Sequence, residues 1–256
     1  MKIICIANSK GGTGKSTTTA NLGSAIANMG KKVLIVDLDE QQSLTDKFNI
    51  DVFEDDSTCL MDCILMPQRI SPDDIKIEIT EFLDVLPVNG DKIRRYKESL
   101  TKDNFGVKQL KKVVDQISDN YDYIFIDTPG SKEIYTLMGL SVATDVIIPM
   151  RPNDDDMKST ERFLDFIEMA KQINPSLNIS GILFTMTRKG NPNQEKYMKE
   201  LFQGDDLEKT VFKTKIRNNI RIGMAGDKGN TSVNIDRSSN GAKDYNELAK
   251  EVLRWH

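Results

Sequence analysis

The stretch Ser9-Lys10-Gly11-Gly12-Thr13-Gly14-Lys15-Ser16-Thr17 carries one lysine on each side of a glycine turn. Its second half, Gly14-Lys15-Ser16, reads as a phosphate-binding loop. The usual pattern G-x-x-x-x-G-K-[ST] asks for glycine at position 9, where this chain has Ser9. Just upstream, Ile3, Ile4, Cys5, Ile6 and Ala7 form a short continuous apolar run. That run predicts a strand buried on both faces. Gly11, Gly12 and Gly14 let the backbone take conformations closed to other residues and bring N–H groups against an anion. Downstream, Thr19, Leu22, Gly23, Ile26 and Met29 recur at helical spacing. The loop therefore feeds a helix N-terminus, where free N–H groups and the helix dipole favour phosphate. Lys15 is placed to reach the β- and γ-phosphates of a nucleotide, and the Ser16 hydroxyl to ligate Mg²⁺. A glycine-rich turn without a ligand would need neither the strand before it, nor the helix after it, nor Gly-Lys-Ser in register.

The chain has 256 residues, enough for one large α/β domain or two small ones. Charged residues make up 29% and hydrophobic ones 38%, the balance of a soluble globular protein. No apolar run approaches the roughly 20 residues of a membrane span. The N-terminus opens into a strand and lacks the features of a signal peptide, so the expected location is cytoplasmic. Net charge is −4, so any nucleic-acid binding must come from a local basic patch or from two copies combined. The three cysteines form no C-x-x-C pair; Cys5 reads as core, and Cys59 and Cys63 as helix packing rather than metal ligands. The only histidine is His256, which leaves general-base work to carboxylates or positioned water.

Strand and helix signals alternate to the end of the chain. Strands are predicted at Val33–Asp37, Phe82–Val88, Tyr123–Asp127, Asp145–Met150 and Ile179–Thr185. Helices are predicted around Thr58–Met66, Val107–Ser118, Lys158–Lys171 and Asp244–Arg254, with an acidic opening at Glu54 to the segment running to Pro72. This alternation implies an α/β fold: a doubly wound, mainly parallel sheet flanked by helices, as one domain over residues 1–256. Ligands of such sheets bind at the carboxyl ends of the strands. Asp37 and Asp39 follow the second strand and Asp127 ends the Tyr123 strand, ahead of Thr128-Pro129-Gly130. Asp127 has the position of a Walker B acid that orders Mg²⁺, and Asp39 that of a loop acid able to orient attacking water. The acidic run Asp154-Asp155-Asp156 follows Pro152 and opens a helix, so capping and dipole pairing account for it.

Taken together, these residues resemble the ParA/MinD-type ATPases with a deviant Walker A motif, and within them the small ParA-type DNA partition ATPases. The resemblance covers nearly the whole chain. It implies a P-loop NTPase fold, ATP and Mg²⁺ as ligands, and an ATP-gated homodimer in which Lys10 reaches the other copy's nucleotide. Residues 10–17 then form the nucleotide loop (Lys10, Gly11, Gly12, Thr13, Gly14, Lys15, Ser16, Thr17), and Ser16, Asp37 and Asp127 hold the metal. Lys10, Lys15 and Asp39 serve hydrolysis. Asp37-Leu38-Asp39-Glu40-Gln41 resembles the family's D-x-D-P-Q segment, with Glu40 where proline is usual. Ile147 to Pro152 resembles the strand and turn near the base, which adds Pro149 and, from the strand ending at Arg188, Arg188 itself. The segments Thr214–Arg217 and Ser238–Tyr245 also match.

By the same resemblance the protein binds DNA non-specifically, is stimulated by a small centromere-binding adaptor and associates with the nucleoid when ATP-bound. The candidate DNA contacts are Arg188, Lys189, Lys213, Lys215, Arg217 and Arg221, whose charge neutralises phosphates without reading sequence. The first strand begins at Lys2, so sequence-specific operator binding by an N-terminal helix-turn-helix is not expected. Four alternatives differ in their signals. A MinD-like membrane regulator needs the stripe Tyr245, Leu248, Ala249, Val252 and Leu253 to face lipid. A ParA-like positioner could carry a protein cargo. An iron–sulphur ATPase needs paired cysteines, which are missing, and a mere nucleotide switch would not need Asp39 and Lys10.

Overall fold

Short β-branched runs set the strands, and polar or amphipathic segments set the helices between them. A computed structural model describes residues 1–52, 58–102, 106–202, 211–226 and 229–254. The acidic residues from Glu54 to Ser57, and His256, lie outside the described residues. The order begins β1 (Lys2–Ile6), α1 (Lys15–Ala27), β2 (Val33–Asp37), α2 (Ser43–Lys47), α3 (Leu60–Leu65), α4 (Pro72–Ile75), β3 (Ile77–Thr80) and β4 (Leu83–Leu86). It continues with α5 (Gly90–Lys102), α6 (Gln109–Ile117), β5 (Tyr123–Asp127), α7 (Ile134–Val142), β6 (Asp145–Met150) and α8 (Asp154–Ala170). It ends with β7 (Asn178–Phe184), α9 (Pro192–Phe202), α10 (Ile220–Gly226), α11 (Ser232–Ile235) and α12 (Asn240–Leu253).

The strands form one seven-stranded sheet in the order β3-β4-β2-β5-β1-β6-β7. Every neighbouring pair is parallel except β3 with β4. Alternate side chains of each strand feed two separate cores. From β1, Ile3 and Cys5 pack with α3, α6, α7 and α8, whereas Ile4 and Ile6 pack with α1 and α12. β1 lies between β5 and β6, so the loop leaving it emerges at the middle of the sheet's carboxyl edge.

The expected strands at Val33, Tyr123 and Asp145 have the bounds read from the sequence. β3 was not expected: its Ile-Glu-Ile-Thr alternation is short, and it pairs only as an antiparallel edge. α5 was not expected either, because it is highly polar and turns little more than Ile93 and Leu100 inward. α8 begins four residues before Lys158, since the Asn153 side chain accepts the Asp156 N–H at 3.0 Å and caps it there. In α12 the stripe Tyr245, Leu248, Ala249 and Val252 is buried against α1 and the sheet, so it is not free to face lipid. Cys5, Cys59 and Cys63 are all buried and free. Burial pushes the Cys63 thiol up to about 12, which leaves it inert. Among the described residues no helix is long and apolar enough to cross a membrane.

Candidate nucleotide site

The turn from β1 into α1 is pinned from behind. Asn8 is fully buried; its Nδ2 donates to the Pro149 carbonyl at 2.9 Å and its Oδ1 accepts the Lys10 N–H at 3.1 Å. The Thr185 hydroxyl, at the end of β7, donates to the Thr13 carbonyl at 2.8 Å. Gly14 then takes φ 88°, a left-handed conformation that a side chain would strain, and starts α1. The first turn of α1 carries no acidic residue, so its N–H end keeps its positive field. Lys15 is buried and its Nζ donates to the Lys10 carbonyl at 3.1 Å, arching back over the loop. Burial holds its pKa down, and the nearby charges of Asp127 and Asp39 pull it back up. The loop opens onto a cleft of about 480 Å³ whose walls include Gly12, Lys15, Ser16, Asp39, Gly130 and Ser131.

Two acids close the floor. β2 and β5 are in register at Asp37 and Asp127, so two fully buried carboxylates stand side by side. Burial and then the Asp37 charge push Asp127 well above the usual carboxylate range. Burial likewise pushes Asp37 up to about 7. Asp127 Oδ1 accepts from Thr19 at 3.1 Å, its Oδ2 has no hydrogen-bond partner in the protein, and the Ser16 side chain beside the acid works against the upward shift. A buried carboxylate oxygen without a donor, beside a second acid and a serine hydroxyl, fits a divalent cation. Among the described residues no cluster of three His, Cys, Asp or Glu could hold a metal ion alone. Mg²⁺ characteristically uses one or two protein ligands plus water and phosphate oxygens.

Asp37, read from the sequence as a metal ligand, has both carboxylate oxygens engaged by the loop that follows β2. Its Oδ1 accepts the Asp39 N–H at 2.9 Å, and its Oδ2 accepts the Thr45 N–H at 3.0 Å and the Thr45 hydroxyl at 2.7 Å. These bonds fold the chain back after β2 and set Asp39 in the cleft wall. Pro149, read from the sequence as near the base, stands behind the loop. It is buried within β6, supports the loop through Asn8, and does not line the cleft.

The remaining predicted residues divide by surroundings. Lys10 Nζ turns away from Lys15 to Asp156, at 3.0 Å, and to Asp155, at 3.8 Å. Asp156 is fully buried and also takes a two-point bond from Arg151, at 2.9 Å to each oxygen. The acidic run thus does more than cap α8. Arg188, Lys189 and Lys213 are exposed, and Lys215 is half-buried. Arg188 does not line the nucleotide cleft. Arg217 is tied to Asp244 of α12 by bonds of 2.5–3.1 Å, and Arg221 is paired with Asp236. The charges of these two arginines are therefore largely spent within the chain.

A second recess, of about 210 Å³, adjoins the first through Gly14, Thr17 and Met186. Thr185, Ile216, Asn218, Asn219 and Ile222 line it and were not foreseen, although Ile216 and Arg217 fall in a segment matched by resemblance. Met186 takes φ 53°, unusual for a non-glycine residue, and projects at the junction. No local pattern marks these residues, because they converge from β7, the 211–219 segment and α10. Lys47 of α2 and Glu133 before α7 also line the main cleft and were missed for the same reason.

The AAA domain family matches residues 1–179. Over 256 residues the chain is 35% identical to the sporulation initiation inhibitor protein Soj of Bacillus subtilis, with 98% of each chain covered. It is 29% identical to the chromosome partitioning protein ParA of Myxococcus xanthus, over 99% of this chain and 88% of that one. Cobyrinic acid a,c-diamide synthase of Mycobacterium smegmatis, solved with ADP and magnesium, overlays with a TM-score of 0.84 at 27% identity. That overlay covers 99% of this chain and 94% of the other. Sheet order, loop and relatives agree: the chain belongs to the ParA-type P-loop ATPases.

Proposed function

We propose that the protein is a DNA partition ATPase, a single domain that dimerises on Mg-ATP, binds DNA non-specifically and is reset when an adaptor stimulates hydrolysis. The observation that carries this reading is the pair of lysines in one loop with opposite surroundings. Lys15 is buried over its own cleft; Lys10 points out of it. In the cleft, Lys15 and the α1 N–H groups hold phosphate charge. Ser16 and Asp127 hold Mg²⁺, which neutralises charge on the phosphate oxygens. Asp39 orients the water that attacks the γ-phosphorus, and ADP and phosphate leave. The adjoining recess, with Met186 and Ile216, takes the base.

Lys10 is released at small cost. Asp156 keeps its two-point bond to Arg151 if Lys10 leaves, so no buried charge is orphaned. The pair it leaves joins a partly exposed ammonium to a buried acid that keeps its other cation. The triphosphate of a second copy offers more charge than that. Lys10→Ala is expected to retain nucleotide binding and lose ATP-dependent dimers, measured by light scattering with Mg-ATP and with Mg-ADP. Dimers persisting in that variant overturn the trans role of Lys10.

The DNA surface in this reading draws on exposed cations. Lys189 and Lys213 are free of the ion pairs that hold Arg217 and Arg221. Lys189→Ala with Lys213→Ala is expected to reduce ATP-dependent DNA retention and lower its salt slope by about 2, one per phosphate contact. Retention unchanged in that double variant removes these lysines from the DNA surface. The ParA relative, a chromosome partitioning protein by name, supports DNA as the cargo. The burial of the α12 stripe counts against a membrane role.

A further inference from the structure

Position 40, where the resemblance leads one to expect proline, is the centre of a clamp. The Glu40 carbonyl accepts from Arg94 Nη1 at 3.0 Å. A Cβ on Gly90 would stand 2.5 Å from that same carbonyl oxygen, so the start of α5 lies directly on the loop and requires glycine there. The Glu40 carboxylate faces Lys97, Nζ to Oε2 at 3.8 Å, and Lys97 also pairs with Glu133. Glu133 starts α7 without capping it, because its side chain turns to Lys97 instead. Both glutamates line the phosphate cleft.

We propose that Lys97 is a positioning residue of this ATPase, which bridges Glu40 and Glu133 so as to tie the loop after β2 to the loop after β5 and hold Asp39 in register with the phosphate cleft. This rests on the ATPase reading above. The platform that carries Lys97 is itself fixed. Ile93 and Leu100 bury one face of α5, and the buried Tyr135 hydroxyl of α7 donates to the Ile93 carbonyl. The bridge thus connects two loops through a helix that has its own anchorage in the core. Its charge is needed as well as its geometry, since two carboxylates at the mouth of a triphosphate site repel the ligand unless a cation stands between them. Pairing with Glu133, and then the Glu40 charge, hold the Lys97 ammonium in its charged form. All three side chains are about a third to a half exposed, so the bridge is weak enough to rearrange during a cycle.

The test compares wild type, Lys97→Met, Lys97→Arg and the charge-neutral triple variant Glu40→Gln, Lys97→Met, Glu133→Gln. Three quantities are read: Mg-ATP affinity, kcat, and amide hydrogen exchange over residues 40–43 and 131–134. In Lys97→Met, kcat is expected to fall about fivefold, the scale of one partly exposed charge pair, and exchange to rise in both loops. Lys97→Arg keeps most of both. The triple variant regains the affinity lost to two bare carboxylates, but neither the turnover nor the protection. Exchange or turnover unchanged in Lys97→Met overturns the proposal. Full recovery of turnover in the triple variant also overturns it, because Lys97 then serves only to screen charge. If wild type hydrolyses no Mg-ATP, the ATPase reading falls, and the exchange measurement by itself decides whether Lys97 joins the two loops.

Discussion

The loop after β1 and the loop after β2 face each other across the cleft, yet they are held by opposite means. The first is fixed by main-chain geometry and buried neighbours: Gly14 in its left-handed turn, Asn8 behind it, Thr185 on the Thr13 carbonyl. The second has one buried anchor, Asp37, and is otherwise steadied by partly exposed charges on α5. Buried hydrogen bonds cost a great deal to leave unmade, whereas partly exposed ion pairs exchange easily with water. On the proposed function this contrast divides the labour: the rigid loop would bind, and the adjustable one would decide when the bound nucleotide is cut.

Lys15→Ala tests the rigid side and carries the largest effect. Mg-ATP affinity is expected to drop by more than about a thousandfold, because a buried, charge-assisted contact is lost from a preformed site. Titration with a fluorescent ATP analogue measures it, and binding within tenfold of wild type breaks the contrast. Asp39→Ala tests the adjustable side. Turnover should fall by about a hundredfold, the lower range for a group that handles the attacking water. Nucleotide affinity should stay within about threefold. A variant that binds as poorly as it turns over would show that the two loops do not divide binding from hydrolysis.

The smallest effect concerns the acid that anchors the second loop. Asp37 gives up its proton near 3.8 in the unfolded chain and near 7 in the fold. The native state therefore holds more protons between those values, and this contribution to stability is complete below the lower one and lost as pH rises through the upper. The buried Asp127 acts with the same sign. The nucleotide-free protein should lose at least about 2 °C of thermal midpoint between pH 5 and pH 8 on this account. Asp37→Asn flattens that slope, and Mg-nucleotide is expected to flatten it too by bringing a cation to the acids. Equal slopes for wild type and Asp37→Asn would place the titration elsewhere.

The P-loop was legible in the sequence because its function is local: glycine, lysine and serine act within nine consecutive residues, and the flanking strand and helix announce themselves by composition. Asp127 was legible because an apolar strand that ends in an acid sets that acid at the sheet's carboxyl edge, where ligands bind. Asp37 was half legible, as an acid at the right edge whose hydrogen bonds to Asp39 and Thr45 no spacing rule displays. α5 escaped because a helix with so few inward residues leaves little periodicity. The DNA candidates were legible as cations but not as free cations, since the partners of Arg217 and Arg221 lie 27 and 15 residues further on.

The sequence by itself determined the α/β class, the order of the principal strands, the glycine loop with its two lysines and the place of Asp127 at the end of its strand. Each is written in contiguous residues, where a period of two, a period of helical turns or a glycine turn has direct conformational meaning. Only the tertiary structure decided where Lys10 points, that Asp37 supports a loop, which arginines are already paired, and that Lys97 joins Glu40 to Glu133. Those are contacts between segments that mostly lie tens to more than a hundred residues apart. Their energies depend on burial and on distances of a few ångströms, and both come into being only when the sheet brings its carboxyl edges together.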